Sequence, residues 1–178
     1  MPPVTLVLGG ARSGKSTYAE QLAMTAETAT YIATAEPGDA EMVERIRLHQ
    51  QRRGPRWTTV EEPLNLLSAL SKQDDPSRPI VVDCLTLWLS NLMLSGRDVE
   101  AETANLAALL GDLAGPVILV ANEVGLGIVP ETPLGRRYRD HAGCLNRTIA
   151  EIADRVVFMI AGLPLIVKEQ NKNGDALS

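Results

Sequence analysis

Cysteine, histidine and aromatic residues are scarce in this chain of 178 residues. It has two cysteines and two histidines, and aromatic residues make up 3% of the sequence. Cys84 and Cys144 stand in no CxxC or metal-ligand spacing, so we expect neither a disulfide framework nor a zinc site. With so few aromatic side chains, leucine, valine, isoleucine and alanine must fill the core, and a chain of this length can bury one.

Long hydrophobic runs are also absent, so we expect no membrane span. The stretch MPPVTLVLGG lacks a basic segment followed by a long apolar one, so we expect no signal peptide and a cytoplasmic location. The chain has 17 Lys and Arg against 22 Asp and Glu, a net charge of −5. This balance argues against a broad nucleic-acid-binding surface, and we expect no nucleic-acid partner.

Short apolar segments alternate with helical segments along the chain. This alternation predicts βαβ units, and hence a single α/β domain over residues 1–178 with a mostly parallel sheet and helices on both faces. Ala161-Gly162 separates the last two apolar segments, which predicts a C-terminal antiparallel hairpin. The predicted strands are 4–8, 30–34, 57–60, 79–83, 116–122, 155–160 and 163–168, and the predicted helices are 15–26, 39–53, 63–72, 85–94, 98–114 and 133–153.

The segment GGARSGKS, residues 9–16, matches GxxxxGK[ST] in full and lies between a predicted strand and a predicted helix. In such a P-loop, backbone N–H groups and the start of the helix face phosphate oxygens. Lys15 is predicted to reach the β- and γ-phosphates, and Ser16 to bind Mg²⁺. The alternative is a glycine-rich turn without a ligand. The predicted phosphate-binding residues are Gly9, Gly10, Ala11, Arg12, Ser13, Gly14, Lys15 and Ser16.

Asp83 ends the apolar stretch PIVVD. Ligands of open α/β sheets bind where the strands end, so Asp83 is predicted to contact Mg²⁺ directly or through water. The alternative is that its carboxylate caps the following helix. Glu36, Glu61 and Glu62 also follow strand-like stretches, and each would contact either a nucleotide base or ribose, or solvent alone.

The predicted helix over residues 39–53 carries His49 among several arginines. His49 shares one side of this helix with Met42 and Ile46, at the border of a packed face. Guanidinium groups nearby could bind a triphosphate and keep the imidazole neutral and nucleophilic. Attack by this imidazole on an α-phosphorus would release pyrophosphate. The alternative is that His49 is a bystander and that the arginines form a solvated face.

Five segments together are more specific for one protein family than the P-loop alone. The most specific combination is NEVGLGIVPE together with RIRLH, which lies earlier in the chain. They resemble one family closely, the bifunctional adenosylcobinamide kinase / adenosylcobinamide-phosphate guanylyltransferase of cobalamin biosynthesis, over nearly the whole chain. The segments are GGARSGKS (9–16), YIATAE (31–36), RIRLHQQRRGPRWTTVEEP (45–63), VDCLTLWLSNL (82–92) and NEVGLGIVPETPLGRRYRDHAGCLNRTIAEIAD (122–154).

The resemblance implies a P-loop fold with an added antiparallel strand, assembled as a homotrimer. It also implies that His49 becomes guanylylated. Some relatives have two adjacent histidines here, whereas Leu48 precedes His49 in this chain. The further nucleotide contacts implied are Thr34, Ala35, Glu36, Gln50, Gln51, Arg52, Arg53, Glu61 and Asp83.

By the same resemblance, the enzyme works in two steps with ATP, GTP and Mg²⁺. The γ-phosphoryl group first passes to the hydroxyl of the aminopropanol arm of adenosylcobinamide, a small corrinoid. His49 then takes GMP from GTP, and the phosphate of adenosylcobinamide phosphate displaces the histidine, which gives adenosylcobinamide-GDP.

Two other functions compete with this interpretation. One is a P-loop kinase of a nucleotide or small metabolite that forms no covalent intermediate. The other is a nucleotide-dependent switch, although the NKxD motif with which GTPase switches usually read the base is absent from the sequence.

Overall fold

A computed structural model describes residues 3–35 and 54–170 of the chain. The predicted helix over residues 39–53 lies outside this part. The strands are β1 (Val4–Gly9), β2 (Ala29–Ala33), β3 (Trp57–Glu61), β4 (Ile80–Asp83), β5 (Val117–Asn122), β6 (Arg155–Ile160) and β7 (Leu163–Glu169). The helices are α1 (Lys15–Ala23), α2 (Leu66–Gln73), α3 (Leu85–Leu94), α4 (Val99–Asp112) and α5 (Pro133–Ile152).

All seven described strands form one sheet in the order β3-β2-β4-β5-β1-β6-β7. Neighbouring strands run parallel except β6 and β7, which form an antiparallel pair joined at Ala161-Gly162. The predicted fold class, including its C-terminal antiparallel strand, is therefore confirmed. None of the helices in the described ranges has the length and apolar character needed to cross a membrane.

The central strands are mostly apolar because both faces of the sheet are covered. Leu6 of β1 packs into a core beneath α2 to α5, whereas its neighbour Val7 packs into a second core beneath α1. Successive side chains of a strand point to opposite faces, so a run such as VTLVL supplies both cores. Trp88 of α3 is fully buried in the larger core, and its indole N–H donates to the carbonyl of Leu64 at 3.0 Å.

One predicted helix begins later than expected. The sequence predicted a helix from Pro63, but α2 begins at Leu66. The carboxylate of Glu62 accepts hydrogen bonds from the backbone N–H groups of Leu64 and Asn65, at 3.1 and 2.8 Å. These bonds close a local turn over residues 62–65, and the helix begins after it.

Candidate nucleotide-binding active site

The P-loop connects β1 to α1 in a conformation that two of its glycines permit. A Cβ atom on Gly9 would lie 2.7 Å from the carbonyl oxygen of Met159 and 2.7 Å from Ser13 Oγ. Gly14 has φ of +93° immediately before α1 begins. A larger residue would clash at the first position and be strained at the second. The glycine spacing of the motif thus follows from close packing and backbone shape.

Lys15 is the first residue of α1, and its side chain folds back over the loop. The residue is only 6% exposed, and its ammonium group donates to the carbonyl of Gly10 at 2.6 Å. Ser13 Oγ is buried within the same loop and has no hydrogen-bond partner among the described residues. A buried hydroxyl without a partner and a cation turned over the loop fit a phosphate group, which accepts from both.

Two backbone hydrogen bonds from other parts of the chain hold the P-loop in place. The N–H of Gly162, in the β6–β7 turn, donates to the carbonyl of Ser13 at 3.2 Å. The N–H of Glu123, directly after β5, donates to the carbonyl of Gly9 at 3.0 Å. Both ends of the loop are thus fixed by elements more than a hundred residues away in sequence, a relationship that local patterns do not reveal.

Asp83 ends β4 at the same edge of the sheet as the P-loop. β5 lies between β4 and β1, and its Val120 is paired with both Asp83 and Val7. Asp83 is half-buried, and its carboxylate accepts a hydrogen bond of 2.7 Å from the hydroxyl of Tyr31. The N-cap of α3 is Cys84, without a side-chain cap. Asp83 therefore does not cap α3 through its side chain, and its ligand role stays a prediction.

Thr34 and Ala35 follow β2 at this edge. Thr34 is fully buried, and its hydroxyl both donates to the carbonyl of Cys84 at 2.8 Å and accepts from the Cys84 N–H at 2.9 Å. Asn91 donates to the Thr34 carbonyl at 2.9 Å. These contacts hold the ends of β2 and β4 together and favour a positioning role for Thr34. Ala35 is half-buried.

Glu61 is the last residue of β3, where it is exposed and paired with Ala33. It therefore lies at the nucleotide edge of the sheet, in keeping with its predicted contact. The remaining predicted site residues lie outside the part of the chain that the structure describes, and their roles stay predictions. They are Glu36, His49, Gln50, Gln51, Arg52 and Arg53.

A polar network behind Asp83 was not expected from the sequence. The side-chain amide of Asn122, at the end of β5, donates to Thr86 Oγ1 at 3.0 Å, and Cys84 Sγ lies 3.1 Å from the same oxygen. The hydroxyl of Tyr138 donates to the Thr86 carbonyl at 3.1 Å. The network links α5 to the edge of the sheet that holds Asp83. Its residues come from elements far apart in sequence, so no local pattern indicates it.

The two thiols should differ sharply in reactivity. Cys84 is buried, and burial together with the negative charge of Asp83 raises the pKa of its thiol, whereas Cys144 is exposed. Because the thiolate is the reactive form, only Cys144 should react rapidly with Ellman's reagent in the native protein. Cys144→Ser should abolish this rapid phase, and Cys84 should react after denaturation. A rapid phase that survives in Cys144→Ser would contradict this prediction.

Comparison with known proteins shows the family of this chain. Residues 5–167 match the family model described as "Cobinamide kinase / cobinamide phosphate guanyltransferase". The bifunctional adenosylcobalamin biosynthesis protein CobP of Pseudomonas aeruginosa is 51% identical over 166 residues, which cover 92% of this chain and 96% of that protein. The bifunctional adenosylcobalamin biosynthesis protein CobU of Escherichia coli is 36% identical over 178 residues, which cover 92% of this chain and 98% of that protein.

Solved structures are similar in fold alone. An ATPase of a bacterial type III secretion system has a TM-score of 0.55 at 13% identity and matches 88% of this chain and 50% of its own. A Pyrococcus horikoshii protein has a TM-score of 0.53 at 10% identity, and the match covers 96% of this chain and 88% of that one. The fold, the P-loop and the sequence matches lead to one conclusion: the chain belongs to the cobinamide kinase / cobinamide phosphate guanyltransferase family of enzymes.

Proposed function

We propose that this enzyme phosphorylates adenosylcobinamide with ATP or GTP and then transfers GMP from GTP to the product through a guanylyl-histidine. The observation that carries the proposal is the P-loop, where the buried Lys15 and the unpartnered hydroxyl of Ser13 converge at the edge that also holds Asp83. The family's two named activities supply the reaction classes.

In the kinase step, the hydroxyl oxygen of adenosylcobinamide attacks the γ-phosphorus and its proton is released to solvent, while the bond from that phosphorus to the β-phosphate oxygen breaks. The transition state spreads negative charge over the transferred group. Lys15 and the backbone N–H groups of the loop stabilise this charge, and the nucleoside diphosphate leaves with the electron pair. The contacts of Gly9 and Ser13 hold both ends of the loop, which would keep its N–H groups in place around the phosphates.

In the transfer step, an imidazole nitrogen of His49 attacks the α-phosphorus of GTP, and pyrophosphate leaves. A phosphate oxygen of adenosylcobinamide phosphate then attacks the same phosphorus, and the P–N bond to His49 breaks. The result is adenosylcobinamide-GDP and free histidine. Histidine suits this role because it is a nucleophile when neutral and a good leaving group when protonated.

Ser16 and Asp83 would hold Mg²⁺ beside the phosphates. A hydroxyl and a carboxylate are the oxygen donors that Mg²⁺ prefers in nucleotide sites. Asp83 is half-buried and Tyr31 occupies only one of its two carboxylate oxygens among the described contacts, so the donor set fits the ion. When bound, Mg²⁺ would neutralise part of the polyphosphate charge.

Asp83→Asn should weaken the binding of Mn²⁺, a spectroscopic substitute for Mg²⁺, to the enzyme–GTP complex by about tenfold or more. Tyr31→Phe should weaken it less, by about three- to tenfold, because the carboxylate remains but loses the hydrogen bond that orients it. Electron paramagnetic resonance of Mn²⁺ measures both effects. Asp112→Asn, exposed at the end of α4, is the matched control. Unchanged Mn²⁺ affinity in Asp83→Asn would exclude Asp83 as a ligand.

Incubation with GTP labelled at the α-phosphate tests the proposed function. The protein should acquire the label in the absence of any corrinoid, release it in acid as expected for a P–N bond, and pass it to adenosylcobinamide phosphate. If the protein phosphorylates adenosylcobinamide but never acquires the label, it acts as a kinase without a covalent intermediate. If neither occurs, the proposal fails.

We further propose that residues 1–178 form one domain, that the enzyme is a homotrimer and that it is cytoplasmic. The trimer is supported by the family resemblance, and sedimentation equilibrium would test it. The cytoplasmic location is supported by the cysteine usage of the sequence, which has no disulfide framework.

A further inference from the structure

The segment after β5 exposes apolar side chains to an unusual degree. We define residues 123–132, between β5 and α5, as the acceptor loop. Leu126, Ile128 and Val129 are 84%, 96% and 56% exposed, and Leu134 at the start of α5 is 48% exposed. The stretch from Gly125 to Pro130 contains no charged residue. Exposed apolar groups clustered in this way indicate a binding surface.

The backbone of this loop is held in place by specific contacts. The Glu123 carboxylate accepts a hydrogen bond from the Gly125 N–H. The guanidinium of Arg136 donates to the carbonyls of Pro130 and Glu131, at 3.0 and 2.7 Å. Thr132 caps α5 by accepting from the N–H of Gly135 at 3.1 Å. Both ends of the acceptor loop are therefore held in place, and the exposed apolar side chains lie between them.

The acceptor loop leaves the sheet directly beside the P-loop. Asn122 at the end of β5 is paired with Gly9 at the end of β1, and the N–H of Glu123 donates to the Gly9 carbonyl. A molecule seated on the loop would therefore lie next to the bound polyphosphate. This placement suits the group that receives a phosphoryl or guanylyl unit.

A cavity of about 280 Å³ lies alongside, between the end of α3 and the starts of α4 and α5. Leu134 belongs to both the apolar surface and the cavity wall, so the two are continuous. The same wall carries Arg137, Asp98 and Glu100, so it offers hydrogen-bond donors and acceptors together. Carboxamide groups need both kinds of partner.

We propose that the acceptor loop binds the corrin ring of the cobinamide substrate, with the ring against Leu126, Ile128 and Val129 and a carboxamide arm in the neighbouring cavity. This inference rests on the proposed function. A corrin is a methylated, largely apolar macrocycle edged with carboxamide arms, so it matches an apolar loop beside a mixed polar cavity. The ring lies beside the P-loop, and its hydroxyl-bearing arm extends toward the γ-phosphate.

Binding of cobinamide to Leu126→Gln/Ile128→Gln tests the proposal. Each replacement removes an apolar contact with the ring, so the double variant should bind cobinamide about tenfold or more weakly. Equilibrium dialysis with cobinamide, followed by its visible absorbance, measures this. Labelling of the protein by α-labelled GTP should be unchanged, because that half-reaction needs no corrinoid.

Val167→Gln is the matched control. Val167 is 63% exposed on β7, near the pairing of Arg155 with Glu169 at the opposite edge of the sheet. It should bind cobinamide as the unmodified enzyme does. Equal binding by the double variant, or no binding by the unmodified enzyme, would overturn the proposal. So would an altered sedimentation coefficient of the double variant, because the loop would then contact a second copy of the chain. Absence of label on the unmodified enzyme would instead overturn the proposed function.

Discussion

Replacement of Lys15 by alanine is expected to lower both the kinase and the guanylyltransferase rate by about 10²- to 10³-fold. The ammonium group of this buried residue lies against the carbonyl of Gly10, inside the loop that would surround the polyphosphate. A positioned cation that stabilises charge developing in the transition state typically contributes an effect of this size. The loss should be largest in kcat, measured for each half-reaction separately.

The exposed Lys72 in the last turn of α2 offers the matched control. Lys72→Ala removes the same charge from the chain, so an effect of net charge alone would appear in both variants. Thermal unfolding of Lys15→Ala should remain cooperative, because the loop ends are held by Glu123 and Gly162 rather than by the lysine. Undiminished GTP-dependent turnover in Lys15→Ala would remove the P-loop from the mechanism.

His49→Ala should abolish labelling by α-labelled GTP while leaving phosphorylation of adenosylcobinamide by ATP largely intact. The first reaction requires a nitrogen nucleophile at the α-phosphorus, whereas the second requires only the loop and an acceptor hydroxyl. Autoradiography of the denatured protein measures the first reaction, and chromatography of the corrinoid product measures the second.

His141→Ala is the natural comparison, because the chain contains only these two histidines. His141 lies within α5 and is half-buried there. This variant should acquire the label as the unmodified enzyme does. A labelled His49→Ala protein would show that another residue is the nucleophile, and an unlabelled His141→Ala protein with intact His49 would point to His141.

The strands and the phosphate loop could be predicted because their signals are local. The run VTLVL is too short and too β-branched for a helix, and the glycines and lysine that follow it have a fixed spacing. The sequence places Asp83 at a strand end for the same reason. The family resemblance then supplied the roles that spacing leaves open, such as guanylylation of His49.

Other features depend on which elements meet in space, and local patterns do not contain that information. Nothing near Ser13 indicates that Gly162 will donate to its carbonyl. Thr34 matches a family nucleotide contact, yet the packing of β2 against β4 turns its hydroxyl toward Cys84. The hydrogen bond that Asp83 accepts from Tyr31, 52 residues earlier, is likewise absent from any local pattern.

The hydrogen bond from Gly162 to Ser13 has a consequence for biosynthesis of the enzyme. The ribosome releases the phosphate-binding motif before helices α2 to α5 are made, whereas the turn that braces it emerges only after β6. Domains generally fold as units, so an early segment cannot complete its contacts before the later segments that it packs against have been made. The nascent chain therefore carries an unbraced phosphate-binding loop until β6 and the turn after it have been made, and the loop acquires its full support together with the pairing of β6 and β7.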